Sequence, residues 1–427
     1  MKIVLIGGGS FVFAPTVLAD AIIKHRLSEC ELVLVDPARD IVTAMEGAGH
    51  RMAADMGVHI RIHSVAEREL ALPGADFVLV SVAVQGARRW AMDYEILKEV
   101  GTPDQARECG AMGGLMAAFR SITFVMGVCQ DMERLCPGAM LLNVTNPLPR
   151  VVTAVAKYTT IPVLGFCNIA WGGAEGYEWF ARLIGRDTAS IQVMTAGLNH
   201  FAWLLDIKDT ITGEDLYPMV KDRVLKGTGR EFKVMQKWLY EYGGIAAGVV
   251  DHHGEYLPYD KDIHYPSMPP FHGDENERKQ RVKELIDIAE GRMAWQDVLL
   301  THGSWEHPVD VAVALNHRTE VTFDIVNMPN KGYLPQLPEG RIVEVPAFAK
   351  DGVITGIKVP VLPEGVAGLC NVISDVNELV AEAAVDGARS LAERAIEMDL
   401  AIADKRAAKL ALKKMLKAHA DLLPQFS

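Results

Sequence analysis

Two short segments carry side chains that could share a metal ion. Cys167 sits in Gly165-Phe166-Cys167-Asn168, just past an apolar run that reads as a strand, and His200 closes Gly197-Leu198-Asn199-His200, just past another. A thiolate and an imidazole at neighbouring strand ends can hold a divalent ion and leave positions open for substrate oxygens. Taken singly, such a cysteine also reads as a small buried hydrophobe and such a histidine as a hydrogen-bonded core residue. A third segment, Val250-Asp251-His252-His253-Gly254-Glu255-Tyr256-Leu257-Pro258-Tyr259, is dense in His, acid and Tyr, although loops of this kind also occur as solvated surface. A fourth, Gly7-Gly8-Gly9-Ser10, follows a strand and precedes a helix, where glycines let the backbone approach a pyrophosphate. Val12 stands where a dinucleotide fingerprint has its third glycine. Asp36 ends the second strand, near the spacing of an acid that binds ribose hydroxyls and disfavours a 2′-phosphate. These residues predict NAD rather than NADP, held by Gly7, Gly9, Ser10, Phe11 and Asp36; the bland reading is a glycine turn that binds nothing.

The elements that must position these groups change character along the chain. Up to about residue 150, strand-like runs (Lys2–Ile6, Glu31–Val35, Ile60–His63, Phe77–Val84, Met140–Val144) alternate with helical stretches such as Phe11–His25 and Gly114–Arg134, and Val163–Phe166 leads into Cys167. Strands that look buried on both faces, in βαβα order, predict a doubly wound parallel α/β sheet of Rossmann type. Beyond about residue 190, Gln192–Thr195, Trp203–Ile207 and Glu320–Val326 read as antiparallel strands, Gly213–Val298 as mixed helix and loop with a His-, Tyr- and Pro-rich part around Asp251–Pro270, and Asp375–Leu423 as two long helices. The chain of 427 residues is too long for one ordinary core. The expected division is a nucleotide-binding domain over 1–190 and a mixed α+β catalytic and oligomerisation domain over 191–427, with a soft boundary.

Composition narrows the function classes. Asp and Glu outnumber Lys and Arg by 55 to 43, a net charge of −12, which argues against a nucleic-acid partner. No run of about 18 uncharged apolar residues suggests a membrane span, and the short apolar start Met1–Gly7 is no secretory signal, so a cytoplasmic setting is expected. The six cysteines form no CxxC pairs and read as reduced thiols.

Together these segments resemble the NAD- and metal-dependent glycosidases of glycoside hydrolase family 4, whose Rossmann domain is related to the lactate and malate dehydrogenases. The resemblance runs nearly end to end: the GGGS turn with Asp36, Gly110–Arg120, Thr145-Asn146-Pro147, GFCN, GLNH, the DHHGEYLPY loop, Val326–Gly332 with Val343–Pro346, and Asn377–Gly387. GFCN followed about thirty residues later by GLNH is its most specific part. The resemblance implies a route other than two-carboxylate hydrolysis. NAD⁺ takes hydride from the sugar C3, the ketone acidifies the C2 hydrogen, and a metal on Cys167 and His200, manganese by family habit, stabilises the charge that develops. A base removes the C2 proton, the aglycone leaves C1 by elimination, water adds, and NADH returns the hydride. Asp251 aligns with the aspartate base of the alpha-acting, uronate-type branch; Tyr256 lies in the region where the beta-acting branch uses a tyrosine. Asn146 would touch the sugar hydroxyls or the nicotinamide ribose, its other role being a turn cap.

Asn168 follows the metal cysteine at a position that varies with substrate: asparagine resembles the 6-phospho-beta-glucosidases, histidine the alpha-galactosidases and uronidases, aspartate the 6-phospho-alpha-glucosidases. Asn168 and the Asp251 loop therefore point to different branches, and the chain reads as an outlying member. Arg88, Arg89, Lys331 or the His252-His253 pair would hold an anionic group at C6, a carboxylate, phosphate or sulfonate. The expected substrate is an O-glycoside of a uronate, 6-phosphosugar or sulfosugar, and the expected assembly a homodimer or homotetramer. The rival readings are an NAD-dependent dehydrogenase of the lactate/malate superfamily that releases NADH, and a catalytically inactive NAD-sensing protein.

Overall fold

Six parallel strands organise the first part of the chain: β1 (Lys2–Ile6), β2 (Glu31–Val35), β3 (Arg61–Val65), β4 (Phe77–Val80), β5 (Met140–Asn143) and β6 (Val163–Gly165), in the spatial order β3-β2-β1-β4-β5-β6. The computed structural model describes residues 1–172, 176–265, 275–300 and 306–426, so the expected His-, Tyr- and Pro-rich stretch lies outside the described residues from 266 onward. Strand side chains alternate between two apolar layers. Ile3, Leu5, Leu32, Leu34 and Leu79 join a core under Phe13–Ala19 and Arg39–Met56, while Val4, Ile6, Val33, Val35 and Val80 join one under Ala111–Leu135 and Leu148–Tyr158. Helices on both faces explain why the strands are apolar at nearly every position. Ala111–Leu135 is long and apolar enough to cross a membrane by length and composition alone, but 72% of its apolar window is buried inside the protein.

The sheet does not end at β6. An antiparallel ribbon of β7 (Ile191–Leu198), β8 (Phe201–Asp209) and β9 (Ile245–Ala247) joins it through the antiparallel pair β10 (Val321–Pro329) and β11 (Ile342–Lys350), and β12 (Val353–Gly356) pairs with β11. The result is one 12-stranded mixed sheet that runs across residue 190. Its two joints are narrow. Asn327 of β10 registers with Gly165 of β6, and Glu344 of β11 with Gly197 of β7, one residue pair each.

Differences from the sequence expectations have local causes. The fourth strand stops at Val80 because Ser81 to Gln85 turn along the rim of a cleft. The strand at Ile342–Lys350 was not anticipated, since Glu344 and Pro346 interrupt its apolar pattern. The expected two C-terminal helices are three, Glu364–Asp386, Arg389–Met398 and Lys405–Ala418. Gly387, with φ of 66°, ends the first, and Asp404 caps the third through its carboxylate on Ala407 N–H at 2.8 Å.

Candidate active site

The turn after β1 opens a cleft of about 740 Å³ lined by Gly7, Gly9, Ser10, Asp36, Glu67 and Val82 to Gln85. Gly7 has φ of 96°, and a Cβ there would sit 2.1 Å from the Ser81 carbonyl oxygen, so no other residue fits. Asp36 accepts from Gly9 N–H at 3.2 Å and from Ala38 N–H at 2.9 Å, which holds its carboxylate at the cleft edge. Ser10 Oγ accepts from Phe13 N–H at 3.1 Å and starts the helix. Phe11 lies half-buried against the core beside this turn. Four of the expected cofactor residues thus share one cleft at the carboxyl ends of parallel strands, where a dinucleotide binds in such sheets.

A second cavity of about 420 Å³ shares Val82, Ala83 and Val84 with that cleft and is lined further by Trp90, Arg107, Glu108, Arg120 and Asn146. Asn146 leads from it to the metal-ligating candidates: its amide stabilises the charged forms of both Glu108 and Cys167. Cys167 Sγ lies 3.0 Å from His200 Nε2. An ion about 2.3 Å from sulfur and about 2.1 Å from nitrogen, at a right angle, would place those atoms about 3.1 Å apart, so the pair fits a shared divalent cation. His200 owes its position to a two-residue turn between β7 and β8 in which it takes φ of 60°, a left-handed conformation that a non-glycine residue rarely adopts. Burial, with His252 and His253 nearby, keeps its imidazole well below the usual range and therefore neutral. Burial and the Glu306, Glu344 and Glu108 charges push the Cys167 thiol well up, so a nearby cation is what would favour the thiolate.

Val250–Gly254 is a short helix that packs its imidazoles inward. His252 lies tilted against His200, with ring centres 4.5 Å apart and planes at 38°, and its Nδ1 bonds Glu255 Oε1 at 2.9 Å. Burial opposes charge on His252, but Glu255, Glu108 and Asp251 more than offset it, and the net shift is upward. Glu255, 1% exposed, accepts from Cys109 N–H at 2.6 Å and Gly110 N–H at 3.3 Å. The backbones touch so closely that a Cβ on Gly110 would lie 2.0 Å from the Glu255 carbonyl oxygen. Arg107 fixes the same loop by donating to the carbonyls of Gly254, Glu255 and Leu257 at 2.9 to 3.1 Å. Glu108, His252 and Glu255 bring three ligand atoms within 4.8 Å of one another. Tyr256 is buried in this neighbourhood, its hydroxyl pushed well up by burial and then by Cys109 and Glu255.

Several expected site residues lie apart from the Cys167–His200 pair and the two cavities beside it. Asp251, expected as the C2 base, turns its carboxylate to the guanidinium of Arg230 and to His264 N–H at 2.9 Å, and the structure does not join it to the Cys167–His200 pair. Arg89, expected on the substrate, is buried against the C-terminal segment, where Asp421 binds its guanidinium and His419 Nδ1 lies 3.4 Å away. His253, also expected on the substrate, is a core residue. Its Nε2 lies 2.7 Å from the Ala202 carbonyl oxygen, Phe201, Trp203 and Trp238 surround it, and burial lowers its pKa to about 4. Arg88 and Lys331 are exposed. Asn168 faces a separate small cavity with Trp171, His307 and Asp310. Sequence reasoning gave no role to Arg107, Glu108, Glu255, Asn199, Asn327 or Glu344. All but the first two lie inside motifs already singled out for their pattern, and Arg107 and Glu108 lie just before Gly110–Arg120, with Cys109 between.

Behind the pair lies a buried polar network in which Glu344 Oε1, Asn199 Oδ1 and Asn327 Oδ1 have no partner among the described residues. Asn199 Nδ2 donates to the Cys167 carbonyl oxygen at 2.8 Å and to Glu344 Oε2 at 3.0 Å, and Asn327 Nδ2 donates to the same oxygen at 3.0 Å. Burial lifts the Glu344 carboxyl to about 7 against the pull of those two donors.

Comparison with known proteins identifies the family. Residues 2–180 match the model for family 4 glycosyl hydrolase, and residues 195–402 match that for its C-terminal domain. An alpha-galactosidase of Bacillus subtilis is 28% identical, covering 100% of this chain and 99% of its own. A probable 6-phospho-beta-glucosidase of the same organism is 29% identical over 100% and 98%. A 6-phospho-alpha-glucosidase from gut microorganisms, solved with NAD and Mn²⁺, has the same fold, with a TM-score of 0.80, 19% identity and 99% of each chain covered. With residues 2–180 and 195–402 both matched, this glycosidase belongs to family 4 of the glycosyl hydrolases.

Proposed function

We propose that this chain is an NAD-dependent glycosidase that cleaves the O-glycoside of an anionic sugar by oxidation at C3, removal of the C2 proton, elimination, hydration and re-reduction. The observation that carries the reading is the Cys167–His200 pair, 3.0 Å apart and linked through Asn146 to a cavity continuous with the Gly7–Asp36 cleft. NAD and manganese fit these two places, and both occur together in the 6-phospho-alpha-glucosidase of like fold. Bound there, the nucleotide would supply a hydride acceptor at C3 and the ion would draw electron density from the sugar oxygens. Gly7, Gly9 and Ser10 give close backbone approach, and Asp36 offers a carboxylate to ribose hydroxyls. Cys167 and neutral His200 hold the ion, and Asn146 orients the sugar between them and Glu108.

Tyr256 is the base we assign to the C2 proton. It is the one of the two sequence candidates buried beside Cys167 and Glu255, and a cation at Cys167 would ease loss of its proton. The anionic class is supported by Arg107 and Arg120, which line the 420 Å³ cavity: although Arg120 pairs with Asp93 at 2.9 Å and Arg107 holds three carbonyls, Arg107 Nη2 and Arg120 Nη1 are buried without a partner among the described residues. We keep 1–190 and 191–427 as the working division into cofactor-binding and catalytic parts, and the family resemblance supports a homodimer or homotetramer.

Aryl glycosides of glucuronate, galacturonate, 6-phosphoglucose and sulfoquinovose, with neutral glucose and galactose counterparts, are incubated with NAD and manganese in heavy water. The expected result is cleavage of at least one anionic glycoside, deuterium at C2 of the product and no build-up of NADH. Stoichiometric NADH without cleavage would make the chain a dehydrogenase, and preference for the neutral sugars would overturn the anionic class.

A further inference from the structure

The strands that deliver Cys167 and His200 are only lightly tied together by their backbones. β6 ends two residues before Cys167 and meets β10 at the single pair Gly165–Asn327; β7 ends two residues before His200 and meets β11 at the single pair Gly197–Glu344. Asn327 and Glu344 are themselves register partners. Gly165, Asn327, Glu344 and Gly197 therefore form one row across four strands, directly behind the two candidate ligands.

Side chains reinforce this row. Glu344 is 1% exposed, and its Oε2 receives Nδ2 of Asn327 from one side and Nδ2 of Asn199 from the other, both at 3.0 Å. Asn199 precedes His200 and also donates to the Cys167 backbone carbonyl at 2.8 Å. One oxygen thus ties the turn carrying His200 to the strand registered with the Cys167 segment. Burying a carboxylate is costly unless its hydrogen bonds are made, and a polar group retained at such a cost often serves to fix one geometry. Metal ligands depend on such outer partners for orientation, and losing one commonly lowers affinity about 10- to 100-fold.

We propose that Glu344 is the positioning residue of the metal pair: by accepting from Asn199 and Asn327 at once, its Oε2 sets the spacing at which Cys167 and His200 can share one divalent ion. This rests on the reading above that Cys167 and His200 are the ligands. The role belongs to the acceptor geometry, so a side-chain amide oxygen can replace the carboxylate.

The test measures Mn²⁺ affinity of the full chain by the electron paramagnetic resonance signal of free Mn²⁺, and NAD affinity by calorimetry, for wild type, Glu344→Gln, Glu344→Leu, Asn199→Ala and Cys167→Ser. Glu344→Gln is expected within about threefold of wild type, and Glu344→Leu and Asn199→Ala about tenfold or more weaker for Mn²⁺, with NAD affinity unchanged in all. Wild-type Mn²⁺ affinity in Glu344→Leu would overturn the proposal, as would a loss in Glu344→Gln equal to that in Glu344→Leu. If Glu344→Leu does not fold, Asn327→Ala takes its place, because it removes one of the two donors to Oε2 while leaving Asn199 on the Cys167 carbonyl; a loss of about tenfold in Mn²⁺ affinity is expected, and wild-type affinity there would overturn the proposal. Cys167→Ser separates the two ideas: undiminished Mn²⁺ binding there would sink the assignment of the ligands themselves.

Discussion

Cys167 and His200 are 33 residues apart in sequence and 3.0 Å apart in space, and their separation from the nucleotide cleft makes them individually testable. Cys167→Ser and His200→Ala should each abolish the divalent-ion requirement together with turnover, while NAD affinity stays within a few-fold. Loss of NAD binding in either variant would show that the two sites do not act separately. The base assignment gives a sharper contrast. Tyr256→Phe should lower kcat by about a hundredfold or more, and exchange of the C2 hydrogen with solvent should slow with it. Asp251→Asn should leave kcat near wild type and cost up to about 1 kcal/mol of stability, since its carboxylate serves a partly exposed pair with Arg230. A collapse of kcat in Asp251→Asn with Tyr256→Phe still active would reverse the assignment. At this scale the sequence anticipated which residues would meet, Cys167 with His200 and Asp36 with the Gly7–Ser10 turn. It was not legible for Arg89 and His253. Whether a cation faces substrate or Asp421, and whether an imidazole faces solvent or the Ala202 carbonyl, depends on partners hundreds or tens of residues away.

Strands and helices were easier to read than the partners they choose. β1, β2 and β4 were apparent because burial on both faces demands continuous apolar runs. β11 was hidden because it spends one inward position on Glu344, and that same position links the strand ends that carry Cys167 and His200. The C-terminal helices illustrate how termini are decided by single groups. Removing the Asp404 cap by Asp404→Ala should reduce unfolding free energy by about 1 kcal/mol, read from the midpoint of urea denaturation at unchanged slope; no change would mean that the Lys405–Ala418 helix takes its start from packing alone. At the other end of the chain, Gly7→Ala has no comparable latitude. The added methyl would meet the Ser81 carbonyl oxygen, so NAD affinity should fall by more than about tenfold, measured by calorimetry.

For the whole molecule, two buried ionisable groups give stability opposite dependences on pH. His253 has a folded pKa of about 4 against an ordinary 6.5, so the unfolded chain binds the extra proton and stability falls as pH drops from about 6.5 toward 4. Glu344 has a folded pKa of about 7 against an ordinary 4.5, so the folded chain binds the extra proton and stability falls as pH rises from about 4.5 through 7. Each shift corresponds to something on the order of 3 kcal/mol. In the metal-free protein these two contributions run in opposite directions between about pH 4.5 and 6.5, and His200, also held well below its usual range by burial, adds to the histidine side. Glu344→Gln removes only the carboxyl's contribution, so the variant's stability relative to wild type should fall by on the order of 3 kcal/mol on acidification from about pH 7 to 4.5, as denaturant titrations of both proteins at several pH values would reveal.

The 12-stranded sheet passes through both family-matched segments, and that continuity bears on how the polypeptide could ever be divided. A nick in the Leu183–Asp187 connection would leave β6 in one fragment and the strand it meets, β10, in the other. Neither piece could cover its newly bared edge alone. Protease-nicked material should therefore migrate as a single species until denatured, and the two halves, produced apart, should precipitate unless mixed.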